Sequence, residues 1–369
     1  MKYCEHMNVA INPLNVVTLN DPYSFYEHLR TDFGLYYDEV LQLWVASSAA
    51  DVTAVLSHAS FRVRPATEFL PHTLLESTAG NIFGNLVRMN DGEKQSSLKR
   101  MVSTALDSLN PSKVQTKAEY WSERLYQEIS PNDSGTGLRD FCYCLPTYVM
   151  GDLIGVPEDE LMQVTQWIGE FIRCIAPGGS VEQIAVGLRA AKRLHACMST
   201  QLERSGSGNT GGNLLSILAE ISKNEKSITV EQIIANSIGL LTQTYEATAG
   251  LISNSVLMLG RTPVLLTSIR EESQLIQNLI LEILRFDPSI QNTRRFVVTD
   301  DIIAGQKMRA GDAILLIVAA ANRDPAANPS PMVFDIYRKD AKFSRSALRR
   351  IFAPDKLQRK PSQLLHLLV

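Results

Sequence analysis

The sequence predicts a mainly α-helical domain with a minor β portion, and three observations carry that prediction. Helical patterns follow one another through the middle of the chain. One apolar stretch within them is long enough to form a single central helix. Sheet signals are confined to a short hairpin near the N-terminus and to the segment after residue 292. With 369 residues, 45% of them hydrophobic, the chain can bury a large core.

The first predicted elements are a helix and a hairpin. The helix lies within DPYSFYEHLRTDFG, with Asp21 as its N-cap, Pro22 in its first turn and its end near Gly34. The hairpin follows in GLYYDEVLQLWVASS, where aromatic and β-branched residues flank a polar break. After the run of helices, RRFVVTDDIIAGQKMRAGDAILLI predicts strands separated by turns at Gly305 and Gly311.

The longest predicted helix begins after Thr229. Thr229 and Gln232 have the spacing of a capping box, and no proline follows before Pro263. The helix is therefore predicted over residues 230–259, which corresponds to roughly 45 Å at the rise of an α-helix. Because it is apolar on nearly every side, we expect it to run through the interior of the molecule.

A polar cluster interrupts this apolar helix near its middle, and Glu246 is its one acid. A buried carboxylate must be paired, protonated or beside a water-filled cavity, because an isolated buried charge is costly. A salt bridge to an unidentified arginine and a functional role fit the sequence equally well. The clustering favours the functional role, since five polar side chains lie within one and a half turns: Gln243, Thr244, Tyr245, Glu246 and Thr248.

Composition narrows the location and the partners. No stretch approaches the about 20 apolar residues of a membrane span, and the N-terminus lacks the layout of an export signal. The sequence therefore predicts a cytoplasmic protein without a membrane partner. Five scattered cysteines favour reduced thiols over a disulfide framework. Cys142 and Cys144 have no second ligand pair, so no metal site is predicted from spacing.

Three segments near the C-terminal end are specific in combination. In LEILRFDPSIQNTRR, Glu282 and Arg285 lie one helical turn apart, and Arg295 falls in the following strand. The segments ANRDP and FDIYR follow, and the second ends at Arg338. In this order and at these spacings the residues resemble the cytochrome P450 family, the haem-thiolate monooxygenases, of the soluble bacterial type. The resemblance extends from residue 21 to Arg338.

This resemblance implies a haem cofactor and a reaction that inserts one oxygen atom of O2 into an apolar small molecule. It also implies a ferredoxin-type electron donor. Glu282, Arg285 and Arg338 look like the buried triad that braces the proximal side of the haem, and Arg295 resembles the strand residue that pairs with a haem propionate. The long helix would cross the distal face of the haem, with Glu246 beside the oxygen pocket.

The sequence departs from the family pattern at both predicted haem faces. Ala247 stands where the family usually has threonine, so proton delivery is predicted to use Glu246 with Thr248 or with ordered water. Gln95 and Lys99 stand where the family commonly has a propionate-binding histidine and arginine. Lys99 keeps the positive charge, but it cannot form the two parallel hydrogen bonds that an arginine makes to a carboxylate.

The largest departure follows Arg338, where the family continues into F-G-x-G-x-H-x-C-x-G. The cysteine of that loop is the axial ligand of the iron, and this chain has no cysteine after Cys197. Reading the codons of residues 346–355 one base out of register permits F-G-x-x-x-H-x-C-x-G. The hypothesis is a reading-frame slip between Arg338 and Ser344, which makes the basic tail out-of-frame translation and not a nucleic-acid patch.

The sequence therefore predicts a cytochrome P450-like domain at 1–338 and an aberrant tail at 339–369. A polypeptide without the axial cysteine is expected to bind haem weakly or not at all and to be inactive. An alternative of a different class is a haem-free module that keeps the helical scaffold in order to hold a ligand or recruit a partner protein. No nucleic-acid partner is predicted.

Overall fold

The computed structural model describes residues 11–65, 67–68, 70–132, 134–176, 178–206, 212–223, 225 and 227–339. The chain divides into two compact units, and each is described by itself. The first unit takes the described residues of 1–65 and 285–344, and the second takes those of 66–284. The predicted tail, apart from Lys339, lies outside the described residues.

The elements follow in chain order. The N-terminal part of the first unit contains α1 (Tyr23–Asp32), β1 (Leu35–Asp38), β2 (Leu43–Ala46), α2 (Ala49–Ser57) and β3 (Phe61–Arg62). The second unit contains α3 (Thr78–Asn85), α4 (Gly92–Asp107), α5 (Pro111–Ile129), α6 (Gly135–Ile154), α7 (Leu161–Ile175), α8 (Val181–Gly206), α9 (Leu214–Lys223), α10 (Val230–Gln243), α11 (Ala249–Arg261) and α12 (Pro263–Glu271). Helix α13 (Leu275–Phe286) ends in the first unit, which continues with β4 (Thr293–Val297), β5 (Asp301–Ile303), β6 (Gln306–Met308), β7 (Ala313–Leu316) and α14 (Val318–Asn322).

The first unit is built on a five-stranded sheet of order β1-β2-β7-β4-β3. Strands β1 and β2 form the predicted hairpin, and β2 runs parallel to β7. Because side chains alternate along a strand, Ile314 and Leu316 pack on one face of β7 against a cluster that includes α2. Leu315 packs on the other face with Tyr26 of α1. The sheet is thus covered by one helix on each side.

The sequence predictions for this unit are largely confirmed. The hairpin and the later strands form where they were predicted, and Gly305 and Gly311 have the positive φ of +81° and +94° that tight turns require. The start of α1 differs by one residue, because Pro22 is the N-cap. Asp21 still satisfies the helix start, since its Oδ1 accepts from the Tyr23 N–H at 2.9 Å.

The second unit is helical, and its core is one large cluster to which α3 through α10 contribute. Phe171 of α7, Leu194 of α8 and Ile238 of α10 are fully buried in it. The capping box of α10 is present as predicted: the Thr229 N–H donates to Gln232 Oε1 at 2.9 Å, and the Gln232 N–H donates to Thr229 Oγ1 at 3.3 Å.

The predicted continuous α-helix is wrong in one respect, because a π-helical turn at Thr244–Thr248 separates α10 from α11. The Thr244 hydroxyl donates to the carbonyls of Leu240 and Leu241, and Gln243 Nε2 donates to that of Gly239. Serine side chains make the same kind of bond within the regular helices α10 and α11, so these bonds accompany the wider turn and do not by themselves explain it.

The burial predicted for this helix holds for α10 and not for α11. Val256 and Leu257 of α11 are 41% and 46% exposed, respectively. Within the described part of the chain, no helix is by itself both long and apolar enough to cross a membrane. The long helix (Val230–Arg261) and α12 meet the length and apolarity of a membrane span only when they are taken together, and the two are bent by 106° relative to each other.

Candidate active site

The π-helical turn places Glu246 at the middle of the long helix. Tyr245 anchors this turn, because its ring lies 4.6 Å from the ring of Tyr143 on α6. On the α7 side, a Cβ added at Gly169 would lie only 2.7 Å from the Tyr245 hydroxyl oxygen. Such π-helical turns inside α-helices are rare and frequent at functional sites. The turn is therefore a fixed feature and a candidate site.

Glu246 is less enclosed than the sequence predicts. Its side chain is exposed, yet surrounding protein atoms crowd it enough that burial raises the pKa of its carboxyl group. A crowded but accessible side chain is typical of a concave surface. Glu246 has no hydrogen bond or ion pair with any other described residue; the charge that acts on it is that of Arg88, which lowers its pKa.

Arg88 is the functional candidate that the sequence analysis missed. It lies on a short 3-10 turn (Val87–Met89) between α3 and α4. Its Nε is fully buried and has no partner among the described residues. Burial lowers the pKa of the guanidinium, and the carboxylate of Glu246 opposes that effect. The available signal in the sequence was a single charged residue in IFGNLVRM, whose other side chains are uncharged.

Thr248 lies on the same π-helical turn, two residues beyond Glu246. It is 2% exposed, and its hydroxyl oxygen is buried without a hydrogen-bond partner among the described residues. A buried hydroxyl normally finds a partner, so this oxygen is available to a group that the protein itself does not supply. Both residues predicted for proton delivery therefore lie on the π-helical turn, with Glu246 exposed and Thr248 buried.

Gln95 and Lys99 share one face of α4, since they lie four residues apart. Both are half-buried, while Leu98, Met101 and Val102 bury another face of the helix in the core. An amide and an ammonium group are therefore presented side by side at a partly accessible surface. Both groups donate hydrogen bonds, and such a pair suits an anion such as a carboxylate.

Arg295 lies on β4 of the first unit and is 8% exposed. Its Nη1 donates to the carbonyl of Arg294 at 2.8 Å, and Thr293 Oγ1 lies 3.4 Å away. These contacts hold the guanidinium close to its own strand.

Arg285 and Arg338, two members of the predicted triad, converge on one backbone carbonyl. Arg285 Nη2 donates to the oxygen of Val333 at 3.0 Å, and Arg338 Nη2 donates to the same oxygen at 3.1 Å. Arg285 also donates to Pro331, and Arg338 donates to Pro329. Glu282 is 2% exposed, one turn before Arg285 on α13. The arginines therefore bind the loop around residues 329–333.

Arg323 of the ANRDP segment is buried, and the sequence analysis did not identify its role. Its guanidinium carbon lies 3.2 Å from the ring centre of Tyr23 and 3.6 Å from that of Phe286. Its Nε donates to the Phe286 carbonyl at 2.7 Å. Tyr23 in turn donates to Asp287 Oδ1 at 2.6 Å. A buried cation is thus satisfied by two aromatic faces and a carbonyl.

Comparisons with known proteins agree on one class, the haem-dependent monooxygenases. A sequence model described as Cytochrome P450 matches residues 197–345. The Biotin biosynthesis cytochrome P450 of Bacillus subtilis (strain 168) is 28% identical over 337 residues, which are 90% of this chain and 84% of that protein. The Mycinamicin IV hydroxylase/epoxidase of Micromonospora griseorubida is 27% identical, over 80% of this chain and 73% of that protein.

Solved structures support the same assignment. The structure of P450BioI in complex with hexadec-9Z-enoic acid ligated acyl carrier protein is 26% identical, with a TM-score of 0.76, over 95% of this chain and 93% of that one. CalO2 shares the fold at a TM-score of 0.80 and 22% identity, over 97% of this chain and 89% of that one. The chain belongs to the cytochrome P450 family. By family it is an oxidoreductase whose cofactor is haem and whose substrates are a small molecule and O2.

The described residues include cations of the kind that suits a haem propionate, namely Lys99 in the second unit and Arg295 in the first. The four described thiols lie on α6, α7 and α8. Burial raises the pKa of Cys144 to about 11 and that of Cys197 to about 12, and it also raises those of Cys142 and Cys174. No group of acidic, histidine and cysteine side chains within the described ranges could hold a metal ion. The predicted ligand loop falls in 340–369, outside those ranges, where the sequence has no cysteine.

Proposed function

We propose that this chain is a cytochrome P450-type monooxygenase scaffold for an apolar small molecule, with Glu246 and Thr248 as its proton-relay residues. The observation that carries the proposal is an acid at a π-helical turn of the long helix, two residues before a buried hydroxyl that has no hydrogen-bond partner in the described part of the chain. Because Glu246 is exposed, it can exchange protons with solvent. The Thr248 hydroxyl can both accept and donate a hydrogen bond, so it can pass a proton onward.

In this proposal the haem edge is held by Gln95, Lys99 and Arg295, and the triad of Glu282, Arg285 and Arg338 braces the proximal side. When bound, haem supplies the activation of O2 in this family, and a ferredoxin-type protein is the proposed electron donor. The hydrogen bonds of Arg285 and Arg338 to the Val333 carbonyl support the bracing role. Without an axial thiolate, no step through the iron is derived for this polypeptide.

The inactivity of the polypeptide as translated is the second part of the proposal. It rests on the sequence, in which the segment expected to carry the ligand cysteine is replaced by the basic tail at 339–369. Sequencing the gene tests the proposed frame slip. A single-base change between the codons of Arg338 and Ser344 should restore a Phe-Gly loop with its cysteine, and the absence of any such change would disprove the slip.

A spectroscopic comparison tests the haem chemistry. The chain as translated and a frame-restored chain are each incubated with haemin, reduced and exposed to CO. We expect the thiolate-type Soret band in the restored chain only, because only that chain supplies the sulfur ligand. The same band in the translated chain would overturn the proposed inactivity, and its absence from both chains would overturn the monooxygenase proposal.

Substrate class and location belong to the proposal as well. The complex of P450BioI with an acyl carrier protein bearing hexadec-9Z-enoic acid makes an acyl chain the first substrate to test. The frame-restored protein should change its haem spectrum when the acyl ligand binds.

A cytoplasmic location is tested by cell fractionation of the source organism.

A haem-free binding module is the second candidate, and one observation favours it. A groove of about 250 Å³ between helices of the second unit is lined almost entirely by apolar side chains, among them Leu145, Leu251, Leu259, Ile276 and Ile280. Thermal unfolding of the chain is measured with and without haemin. A stable fold whose unfolding temperature haemin does not change would support this candidate. Stabilisation by haemin would support the monooxygenase scaffold instead.

A further inference from the structure

The turn that carries Arg88 is fixed in place by two buried asparagines. Asn236 of α10 accepts from the Val87 N–H at 2.8 Å and donates to the Asn85 carbonyl at 3.0 Å. Asn90 donates to the Leu86 carbonyl at 2.7 Å. Asn236 and Asn90 are 2% and 4% exposed, so these bonds are shielded from competing water. The backbone on both sides of Arg88 is therefore held rigidly before any ligand arrives.

Helix α10 packs tightly against this same turn. A Cβ added at Gly239 would lie 2.8 Å from Cδ2 of Leu86. Gly239 lies seven residues before Glu246 on the long helix. The turn that carries Arg88 is therefore packed directly against the part of this helix that leads into the π-helical turn.

Arg88 and Glu246 each lack a direct partner among the described residues, and each acts electrostatically on the other. A guanidinium stays charged even when burial disfavours it, and a buried cation requires an opposite charge. The opposite charge that acts on Arg88 is that of Glu246. The two groups therefore form a charge pair without a direct hydrogen bond between them.

Several ionisable groups surround the π-helical turn. Tyr143 and Cys144 on α6 and Arg173 on α7 influence the hydroxyl of Tyr245. Tyr245 itself lies on the turn beside Glu246, and the two groups influence each other. Arg88 is the charged group that lowers the pKa of the Glu246 carboxyl.

We propose that Arg88 is a positioning residue for Glu246: its clamped guanidinium keeps the Glu246 carboxyl in the charged form that follows release of a proton. The proton passes from the protonated carboxyl to the Thr248 hydroxyl or to water, and solvent returns one to the exposed carboxylate. The catalytic meaning of this pairing rests on the proposed monooxygenase function, whereas the pairing itself does not. Arg88 need not contact substrate or haem for this role.

The test follows the titration of Glu246 by NMR in the full chain, with glutamate carboxyl carbons labelled and the signal assigned by its loss in Glu246→Gln. In Arg88→Met we expect the titration midpoint of Glu246 to move to higher pH, because burial then acts without the opposing charge. Arg88→Lys keeps a positive charge, so its Glu246 titration midpoint should stay closer to that of the unmodified protein. An unchanged midpoint in Arg88→Met would overturn the proposal.

Arg100→Gln is the matched control, because Arg100 on α4 is exposed and pairs with Glu225 at 2.6 Å. A shift of the Glu246 midpoint in this variant equal to that in Arg88→Met would also count against the proposal. If Arg88→Met fails to fold, the Nε–H signal of Arg88 in the unmodified chain serves instead. It should change with the same midpoint as Glu246, and a flat response would contradict the pairing.

These measurements need no haem. A failed pairing is therefore distinguishable from a failed monooxygenase, which the CO spectrum of the frame-restored chain tests separately.

Discussion

At the scale of single residues, the site depends on side chains whose partners come from distant parts of the chain. Glu246 is influenced by an arginine 158 positions earlier in the sequence, and Tyr245 is held by Tyr143 and by the absence of a side chain at Gly169. The sequence identified Glu246 and Thr248 by their polarity in an apolar helix. It could not identify Arg88, because local spacing carries no information about a contact between separate elements.

Gly169→Ala tests how closely α7 is fitted to the π-helical turn. The new methyl group would lie 2.7 Å from the Tyr245 hydroxyl, so either the ring or α7 must move. We expect a loss of about 1–3 kcal/mol in the free energy of unfolding, measured in urea. Gly260→Ala on α11 is the control, because its Cβ would meet no atom within 4 Å. A Gly169→Ala protein as stable as that control would refute the close fit, and added Tyr245→Phe should restore part of the loss.

At the scale of elements, capping and periodicity predicted the helices well. The capping box at Thr229 forms as its spacing requires, and α13 ends at Phe286, just before Asp287 and Pro288. The π-helical turn was not predicted. The side chains of Gln243 and Thr244 bond carbonyls of the preceding turn there, and a pattern of polarity alone does not show that geometry.

Thr229→Ala tests how much the cap contributes to the long helix. Removing the hydroxyl takes away the side-chain acceptor of the Gln232 N–H and leaves it only the Thr229 carbonyl at 3.1 Å. We expect a loss of about 1 kcal/mol in the free energy of unfolding. Thr229→Ser keeps the accepting oxygen and should lose much less. Urea unfolding of the three proteins checks the difference. Equal stabilities for the alanine and serine variants would show that the helix start is held by packing instead.

At the scale of the whole molecule, the sequence carries the family and the structure shows an apolar surface within the second unit. Val256 and Leu257 of α11 and Val264 of α12 are 41%, 46% and 74% exposed. Neighbouring exposed apolar side chains favour association or dye binding, whereas isolated ones are common and harmless. The apolar pattern that predicted a buried helix is therefore partly an exposed surface in the described structure.

A surface variant tests this conclusion. Val256→Ser with Leu257→Gln should reduce the binding of a hydrophobic dye and the concentration-dependent association of the chain, because both changes remove exposed apolar area. Dye fluorescence and light scattering measure the two effects. Met162→Gln on α7 is the control, since Met162 is 70% exposed. An equal reduction in both proteins would argue against a defined apolar surface on α11.

What the sequence determined by itself was the order of the helices and strands, the family and the absence of a cysteine in the expected ligand segment. These features depend on local patterns and on the types of residue in order, which the chain carries directly. The tertiary structure decided that Glu246 lies on a crowded but accessible turn, that the charge of Arg88 acts on it, and that Arg285 and Arg338 share the Val333 carbonyl. Each of these depends on the distance between atoms far apart in the chain, and such distances are set only when the elements pack.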